Sequence, residues 1–427
     1  MGSILYRKEI HESLENIKKA DILVGIPSYN NARTISHVVK AVQGGLAKYF
    51  PDKKAVIVNS DGGSTDGTVD VVKKAAIEDF QSILLSHRVE PAFKIAIPYH
   101  GIPGKGSAFR TIFEIAEVLN VRACAVVDSD LRSITPEWIE LLIKPVIESD
   151  FDYVAPLYHR HKYDGTITNS IIYPLTRALY GKRIRQPIGG DFGFSGKLAN
   201  FYLTKDVWHT DVARYGIDIW MTTTAIANNF KVCQSFMGAK IHDPKDPGAD
   251  LSAMLYQVVG STFDLMETYP SVWKNIKGSE PVLTCGFQYA VGLEPVSVNL
   301  DRMIDKFRLG VTELREIWKK LFPQEITDIL YRIKDLHKTE FYMPDEIWSK
   351  IIYSFALATH NKLLNKEHLL KSITPLYLGK VASFVVETWE SNAVEVEEKI
   401  ERLCVSFEKE KEFLIKNWDQ RKGDIHE

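Results

Sequence analysis

Five short apolar runs, separated by stretches of helical pattern, constrain this chain more than any other feature of it. They are ADILVGIPSYN (20–30), KAVIVNS (54–60), FKIAIPY (93–99), ACAVVDS (123–129) and DYVAPLY (152–158). Each is too short for a core helix, rich in β-branched residues and bounded by polar ones, the pattern of a strand buried on both faces. Residues 33–49, 67–77, 107–119 and 136–147 between them have helix-like character. This alternation predicts an α/β fold with a mostly parallel sheet and helices on both faces. In such sheets the ligand crevice lies beyond the carboxyl ends of the strands, and here the residues that close the runs are unusually polar. Chemistry is therefore expected at the strand ends.

The pattern changes along the chain. Residues 1–19 carry a short helix with helical character from 9 to 20, residues 20–265 hold the alternating elements, and 266–427 read as a helical C-terminal domain. In TELREIWKKLF, Thr312 is the expected N-cap, with Leu314, Ile317, Trp318 and Leu321 on one face; Val396, Ile400, Leu403 and Phe407 form a second stripe. These stripes exceed what one small bundle needs, so a homodimer is expected. Lys and Arg number 53 against 55 Asp and Glu, a balance that offers no global field for nucleic acid or an anionic membrane. The four cysteines, Cys124, Cys233, Cys285 and Cys404, form no CxxC pair, which argues against a disulfide framework or structural zinc. A charged N-terminus without an apolar core, and no later run near 18 apolar residues, complete the expectation of a cytoplasmic protein that neither enters nor coats a membrane.

Four motifs close the strands. In VVDSD (126–130), a buried run ends in Asp128, Ser129 and Asp130, a pair of carboxylates suited to Mg²⁺ or Mn²⁺ shared with a diphosphate. The plainer alternative is that Asp130 caps the next helix and Asp128 binds backbone amides. In IPSYNNARTI (26–35), Pro27, Ser28 and Tyr29 can line a base or ribose pocket before a helix N-terminus, or simply make the turn. In NSDGGSTDGT (59–68), Asp61 is placed to bind a nucleotide and Gly62 and Gly63 free the backbone, while Thr65 and Asp66 can cap a helix. GIPGKGSAFRT (101–111) is a glycine-rich loop in which Lys105 can meet a phosphate or remain solvated. It is neither a Walker A loop nor a dinucleotide fingerprint, because Gly106 separates Lys105 from Ser107 and Phe109 stands where the last glycine belongs.

In this order the motifs resemble the GT-A glycosyltransferases, with Asp128-Ser129-Asp130 as the DXD motif. DGTITN (164–169), QPIGGDFGFS (186–195), RYGIDI (214–219) and KIHDP (240–244) narrow the likeness to the retaining glucosyl-3-phosphoglycerate synthase family and its glycerate-using and mannosyl relatives, over roughly residues 20–245. The resemblance implies a Rossmann-like GT-A fold. It also implies nucleotide contacts from Pro27, Ser28, Tyr29, Asn31, Asp61, Gly62 and Ser129, with Lys105 near the diphosphate. Asn31 departs from the acidic residue usual there. Asp130 and His242 would ligate the metal, Asp128 would lie close to the donor, and Asp218 would accept a sugar hydroxyl above a wall of Gly189, Gly190 and Asp191.

At the acceptor end Gly165-Thr166-Ile167-Thr168 replaces the family's Gly-Arg-Val-Thr, so no arginine fork meets a phosphate there; Arg160, His161 and Lys162 lie just upstream, either as substitutes or as a solvated basic run. The expected activity is metal-dependent hexose transfer, most readily of glucose, from a nucleoside diphosphate sugar to the 2-hydroxyl of D-glycerate or 3-phosphoglycerate, giving a compatible solute or its phosphate. Lys105, Asp128, Asp191 and Asp218 are the expected catalytic group. The alternatives are an inverting GT-A transferase using another acceptor, with Asp191 as base, a sugar nucleotidyltransferase, and a non-catalytic nucleotide-sugar sensor.

Overall fold

The computed structural model describes residues 14–75, 93–98, 102–241, 251–289 and 291–420. Two compact units divide the chain: Met1–His159, Ile184–Asp243 and Val282–Glu294 in one, Arg160–Arg183, Pro244–Pro281 and Pro295–Glu427 in the other.

The first unit is built on a sheet whose strands, among the described residues, are β1 (Ile22–Ser28), β2 (Ala55–Asp61), β3 (Phe93–Pro98), β4 (Ala123–Val126), β5 (Tyr153–His159), β6 (Phe192–Ser195), β7 (Val232–Ala239) and β8 (Thr284–Cys285). Their order across the sheet is β8-β7-β5-β6-β4-β1-β2-β3. All neighbours pair parallel except β6, which runs antiparallel to both β4 and β5. The five apolar runs are β1 to β5. Strands β6, β7 and β8 are not among the five runs, and β8 lies in the stretch expected to be helical.

Helices α1 (Ile35–Tyr49), α2 (Thr68–Lys74), α3 (Lys105–Val118) and α4 (Pro136–Glu148) follow β1 to β4. Strand β1 is buried along its whole length, and its alternation decides what meets each face. Ile22, Val24 and Ile26 join a core with Val38, Val42 and Leu46 of α1 and Trp138, Ile139 and Leu142 of α4. At Gly25 the backbone turns to the other face and meets Ile112 of α3. Truncating a core residue such as Leu142, which is fully buried, to Ala costs about 2–5 kcal/mol.

The second unit is helical: Tyr173–Tyr180, Ser252–Thr268, Leu300–Glu313, Gln324–Lys334, Asp345–His360, Thr374–Thr388 and Ala393–Trp418 are its longer helices among the described residues. Asn392 and Glu395 form a capping box at the start of the last. Val396, Ile400, Leu403 and Phe407 are all buried, as their spacing predicted. The stripe at 314–321 is corrected: Thr312 lies inside the Leu300–Glu313 helix, and of the four residues only Trp318 is fully buried.

A single boundary near residue 265 does not describe these units. Residues 160–183 go with the helices because Tyr173 packs on Val396, Ile400 and Cys404, and Arg177, 1% exposed, pairs with Glu401 and Glu408. Residues 282–294 go with the sheet because β8 adds to β7. Near the N-terminus the described helical residues are 14–17. Among the described residues one stretch, Lys366–Thr388, is long and apolar enough by composition to cross a membrane, contrary to the count made from runs; 72% of its most apolar window is buried inside the protein.

Candidate active site

Asp128 and Lys240 lie just past the carboxyl ends of β4 and β7. Because β6 is antiparallel, it is its start that reaches this edge: Val126 pairs with Phe192, so Asp191 lies beside the residues that follow β4. Asp191 Oδ1 accepts the amide of Asp128 at 2.7 Å. Its Oδ2 accepts from Tyr158, at the end of β5, and from Lys240 Nζ at 2.7 Å, just past β7. Lys240 also donates to Asp128 Oδ2 at 2.8 Å and to the Gly189 carbonyl at 2.8 Å.

Lys105 completes the group from the other side. It is the first residue of α3, 2.8 Å from Asp128 Oδ1 and 3.3 Å from Asp218 Oδ1. Asp128 is thus held between two ammonium groups. Burial works against its charge, yet Lys105 and Lys240 outweigh it and hold the carboxyl well below the ordinary carboxylate range. Burial likewise opposes the charge of Lys105, but Asp128 and Asp218 keep it firmly protonated. For Asp191 and Asp218, burial prevails over the lysines and raises both carboxyls. Asp218 Oδ1 is buried and, although near Lys105, has no aligned hydrogen-bond donor. A ligand hydroxyl would supply one.

The wall between Asp128 and Asp191 depends on a missing side chain. Gly190 has φ +91°, and a Cβ there would stand 2.3 Å from Asp128 Oδ2 and 3.0 Å from Lys240 Nζ. Gln186 fixes the approach to this wall by exchanging hydrogen bonds with both backbone groups of Tyr158.

The first two strand ends form a second cluster. Asn31 Oδ1 accepts from Ser129 Oγ at 2.8 Å and from the Tyr29 amide at 3.0 Å, and Thr34 donates to the Ser129 carbonyl at 2.7 Å. The amide oxygen here links the turn after β1 to the DXD segment. Ser28 donates to Asp61 Oδ1 at 2.9 Å. Asp61 also accepts Ser64 Oγ and the amides of Gly63 and Ser64, so both its oxygens organise the turn, and a base contact from it would displace one of these donors. Pro27 is buried one residue before the end of β1, Tyr29 stands 63% exposed with its ring open to a stacking partner, and the Gly62 amide donates to the Ser28 carbonyl.

Residues 23–208 match the family model described as Glycosyl transferase family 2. Over this segment the chain is similar to glycosyltransferase family 2 domains. The sheet of the first unit, with the helices that follow its strands, has the GT-A arrangement, and the chain also carries the helical unit. Among solved structures, the chain is similar to glucosyl-3-phosphoglycerate synthase from Mycobacterium tuberculosis in complex with Mn²⁺, UDP-glucose and phosphoglyceric acid, at 21% identity, over 60% of this chain and 83% of that one, with a TM-score of 0.43. The same enzyme with Mg²⁺ and UDP matches at 20% identity over 62% and 84%, TM-score 0.43. A structure described as a mycobacterial protein matches at 20% over 60% and 78%, TM-score 0.41. No curated protein matches in sequence.

Within the matched segment and the residues just after it, the structure brings together Lys105, Asp128, Gly189, Gly190, Asp191 and Asp218, and separately Ser28, Asn31, Asp61 and Ser129. The alternative for the DXD segment is overturned. Thr135, not Asp130, stands at the N-cap of α4, and Asp128 binds lysines rather than amides. Neither Thr65 nor Asp66 is the N-cap of α2, which is Gly67, although Asp66 Oδ1 accepts the amide of Thr68 at 3.1 Å. The glycines around Lys105 have another purpose than a phosphate loop: a Cβ on Gly106 would lie 1.8 Å from the Val212 carbonyl, so glycine lets α3 start against the 211–214 turn. His242 lies outside the described residues.

Gly165, Thr166, Ile167 and Thr168 belong to the helical unit. Rather than an open loop, they begin a helix; Thr166, Ile167 and Thr168 are buried, and the Thr166 hydroxyl bonds Tyr377 Oη at 2.6 Å. Lys162 donates to the carbonyls of Thr388, Trp389 and Ser391 at the end of a helix, so it is not a solvated lysine. Sequence reading missed Lys240 and Tyr158. Both end strand-like runs, which was the signal that could have found them.

Proposed function

We propose that this chain transfers a hexose, most readily glucose, from a nucleoside diphosphate sugar to the 2-hydroxyl of D-glycerate or 3-phosphoglycerate, with retention of configuration. The observation that carries the reading is the Lys105 bridge between Asp128 and Asp218, next to the Gly189–Asp191 wall. An ammonium fixed at the first turn of α3 stabilises charge on a departing diphosphate, with the helix N-terminus adding to it. Asp218, with its unfilled buried oxygen, accepts a hydroxyl of the donor sugar. Tyr29 offers its exposed ring to the base.

A hard divalent cation belongs to this proposal through Asp130 and the undescribed His242; among the described residues no cluster of three His, Cys, Asp or Glu side chains stands ready for one. Asp130 presents a partly exposed carboxylate that, among the described residues, no cation pairs, and His242 is the second ligand implied by the resemblance. Mg²⁺ or Mn²⁺ bound there supplies charge neutralisation to the leaving diphosphate. Retention is supported by the state of Asp191, the carboxylate an inverting reaction would use as base: it is fully buried and already accepts three donors.

Free glycerate is the favoured acceptor. Thr166 stands where the family carries arginine, Lys162 is engaged by three carbonyls, and Arg160 faces Asp164 at 3.9 Å. The homodimer also belongs to this reading, with the helical unit as its contact; light scattering at micromolar concentration should give twice the monomer mass. The central test is a crossed screen of UDP-, GDP- and ADP-hexoses against glycerate and 3-phosphoglycerate, with the product anomer read by NMR. Absence of turnover with every pair would defeat the proposal in favour of a nucleotide-sugar sensor, and a β-linked product would defeat retention.

A further inference from the structure

We infer that Lys240 is a positioning residue for the transfer, acting through Asp128 and the wall at Gly189–Asp191; the inference rests on the transferase reading above. Its side chain is 3% exposed, and its ammonium donates to Asp128 Oδ2, Asp191 Oδ2 and the Gly189 carbonyl, all at 2.7–2.8 Å. An ammonium has three donors, and these three acceptors use them. Lys240 therefore has none to offer a diphosphate, whereas Lys105, 18% exposed, borders open space. The two lysines have different work although they hold the same carboxylate.

That difference matters when a donor arrives. A diphosphate competes with Asp128 for the charge of Lys105, loosening one of the two contacts that fix Asp128. The contact from Lys240 remains. Because Gly190 has no Cβ, Asp128 Oδ2 lies directly against the wall, and Lys240 joins the two. Tyr158 supports the same assembly by donating to the Asp191 oxygen that Lys240 also holds. Without Lys240, the carboxylates of Asp128 and Asp191 would face each other with no cation bonded to both, and the wall would lose its tie to the end of β7.

The test separates positioning from mere charge balance. Lys240→Met should lower kcat by about 10–100-fold, the usual effect of losing a group that orients site ligands, while the affinity for free UDP or GDP changes less than about threefold. It should also melt earlier, because Asp191 is left buried and unpaired. In Lys240→Met with Asp191→Asn the carboxylate charge is gone, and the amide can still receive Asp128 N–H and bond Tyr158. The double variant should therefore regain thermal stability but not kcat, each being assayed below its melting transition. Recovery of kcat together with stability would reduce Lys240 to charge balance and overturn the inference. A tenfold or greater loss of nucleotide affinity in Lys240→Met would do the same by making it a direct ligand. No turnover by the unaltered protein would end the transferase reading and this inference with it; turnover there with kcat kept in Lys240→Met would end this inference alone.

Discussion

The ammonium of Lys105 lies 2.8 Å from Asp128 Oδ1, joining the first turn of α3 to the segment after β4. Lys105→Met should weaken binding of free nucleoside diphosphate and of the donor sugar nucleotide in parallel, with turnover falling roughly 10²-fold or more when a preorganised charge is removed. Titration calorimetry with UDP, GDP and ADP checks the first part and steady-state kinetics the second. Unchanged nucleotide affinity would make Lys105 a structural ion pair.

Burial raises the Asp218 carboxyl above its ordinary value despite Lys105. Because the folded carboxyl holds its proton more tightly than the unfolded one, stability falls as pH rises from the unfolded value of about 3.9 through the folded one. Asp218→Asn lacks this slope. It should melt above the unaltered protein at pH 7, converge with it in acid, and lose most of its turnover because the sugar hydroxyl has lost its anionic acceptor. Melting curves across pH, paired with kinetics, decide it; a lower melting point at pH 7 would mean that the Lys105 pair outweighs burial.

Gly190→Ala and Gly63→Ala form a matched pair. Both positions have positive φ, +91° and +85°, but an added Cβ meets Asp128 at the first and nothing within 4 Å at the second. Gly63→Ala should cost only the backbone strain, roughly 1–2 kcal/mol, and retain activity. Gly190→Ala should abolish turnover as well as lower stability. Equal effects on activity would contradict the account of the wall.

Asp130→Ala should remove turnover with little change in melting temperature, since a partly exposed strand-end carboxylate adds little to the core. Excess EDTA should have the same effect on the unaltered enzyme, reversed by Mg²⁺ or Mn²⁺. Full activity in EDTA would dismiss the cation.

Restoring the family's arginine by Thr166→Arg should not create a preference for 3-phosphoglycerate. Thr166 is 4% exposed and bonded to Tyr377, so a guanidinium there would disrupt the helical unit. Thr166→Val, which keeps the shape and loses the hydroxyl, should cost about 1 kcal/mol. A stable Thr166→Arg variant with raised phosphoglycerate selectivity would refute this packing argument.

What was readable in the sequence follows from how local each signal is. Strands β1, β2, β4 and β5 declare themselves because a strand buried on both faces is apolar nearly throughout, and Asp128 because charge at the edge of such burial needs a reason, whereas Asp218 is named only by the resemblance. Strand β6 is four residues of FGFS, too short for any period, and its reversed direction is a property of pairing. Lys240 looks like an ordinary residue between a strand and a histidine until Asp128 and Asp191 are brought beside it. GIPGKG and GTIT look like ligand loops for the opposite reason: glycine and threonine at Gly106 and Thr166 answer to Val212 and Tyr377, far away in the chain.

The interleaving of the two units bears on how the protein comes into being during synthesis. The sheet is not complete until Val282–Glu294 leaves the ribosome, after two stretches destined for the helical unit have already emerged. The early β-α repeats wait with an open edge at β7 until that segment arrives, and the helical unit is completed only later, with residues 295–427. Such non-local closure slows folding and exposes strand edges while it lasts. A nascent chain stalled before residue 282 would present that edge to any passing strand, so the rate of translation through the 244–281 stretch becomes a determinant of how much protein reaches the native state.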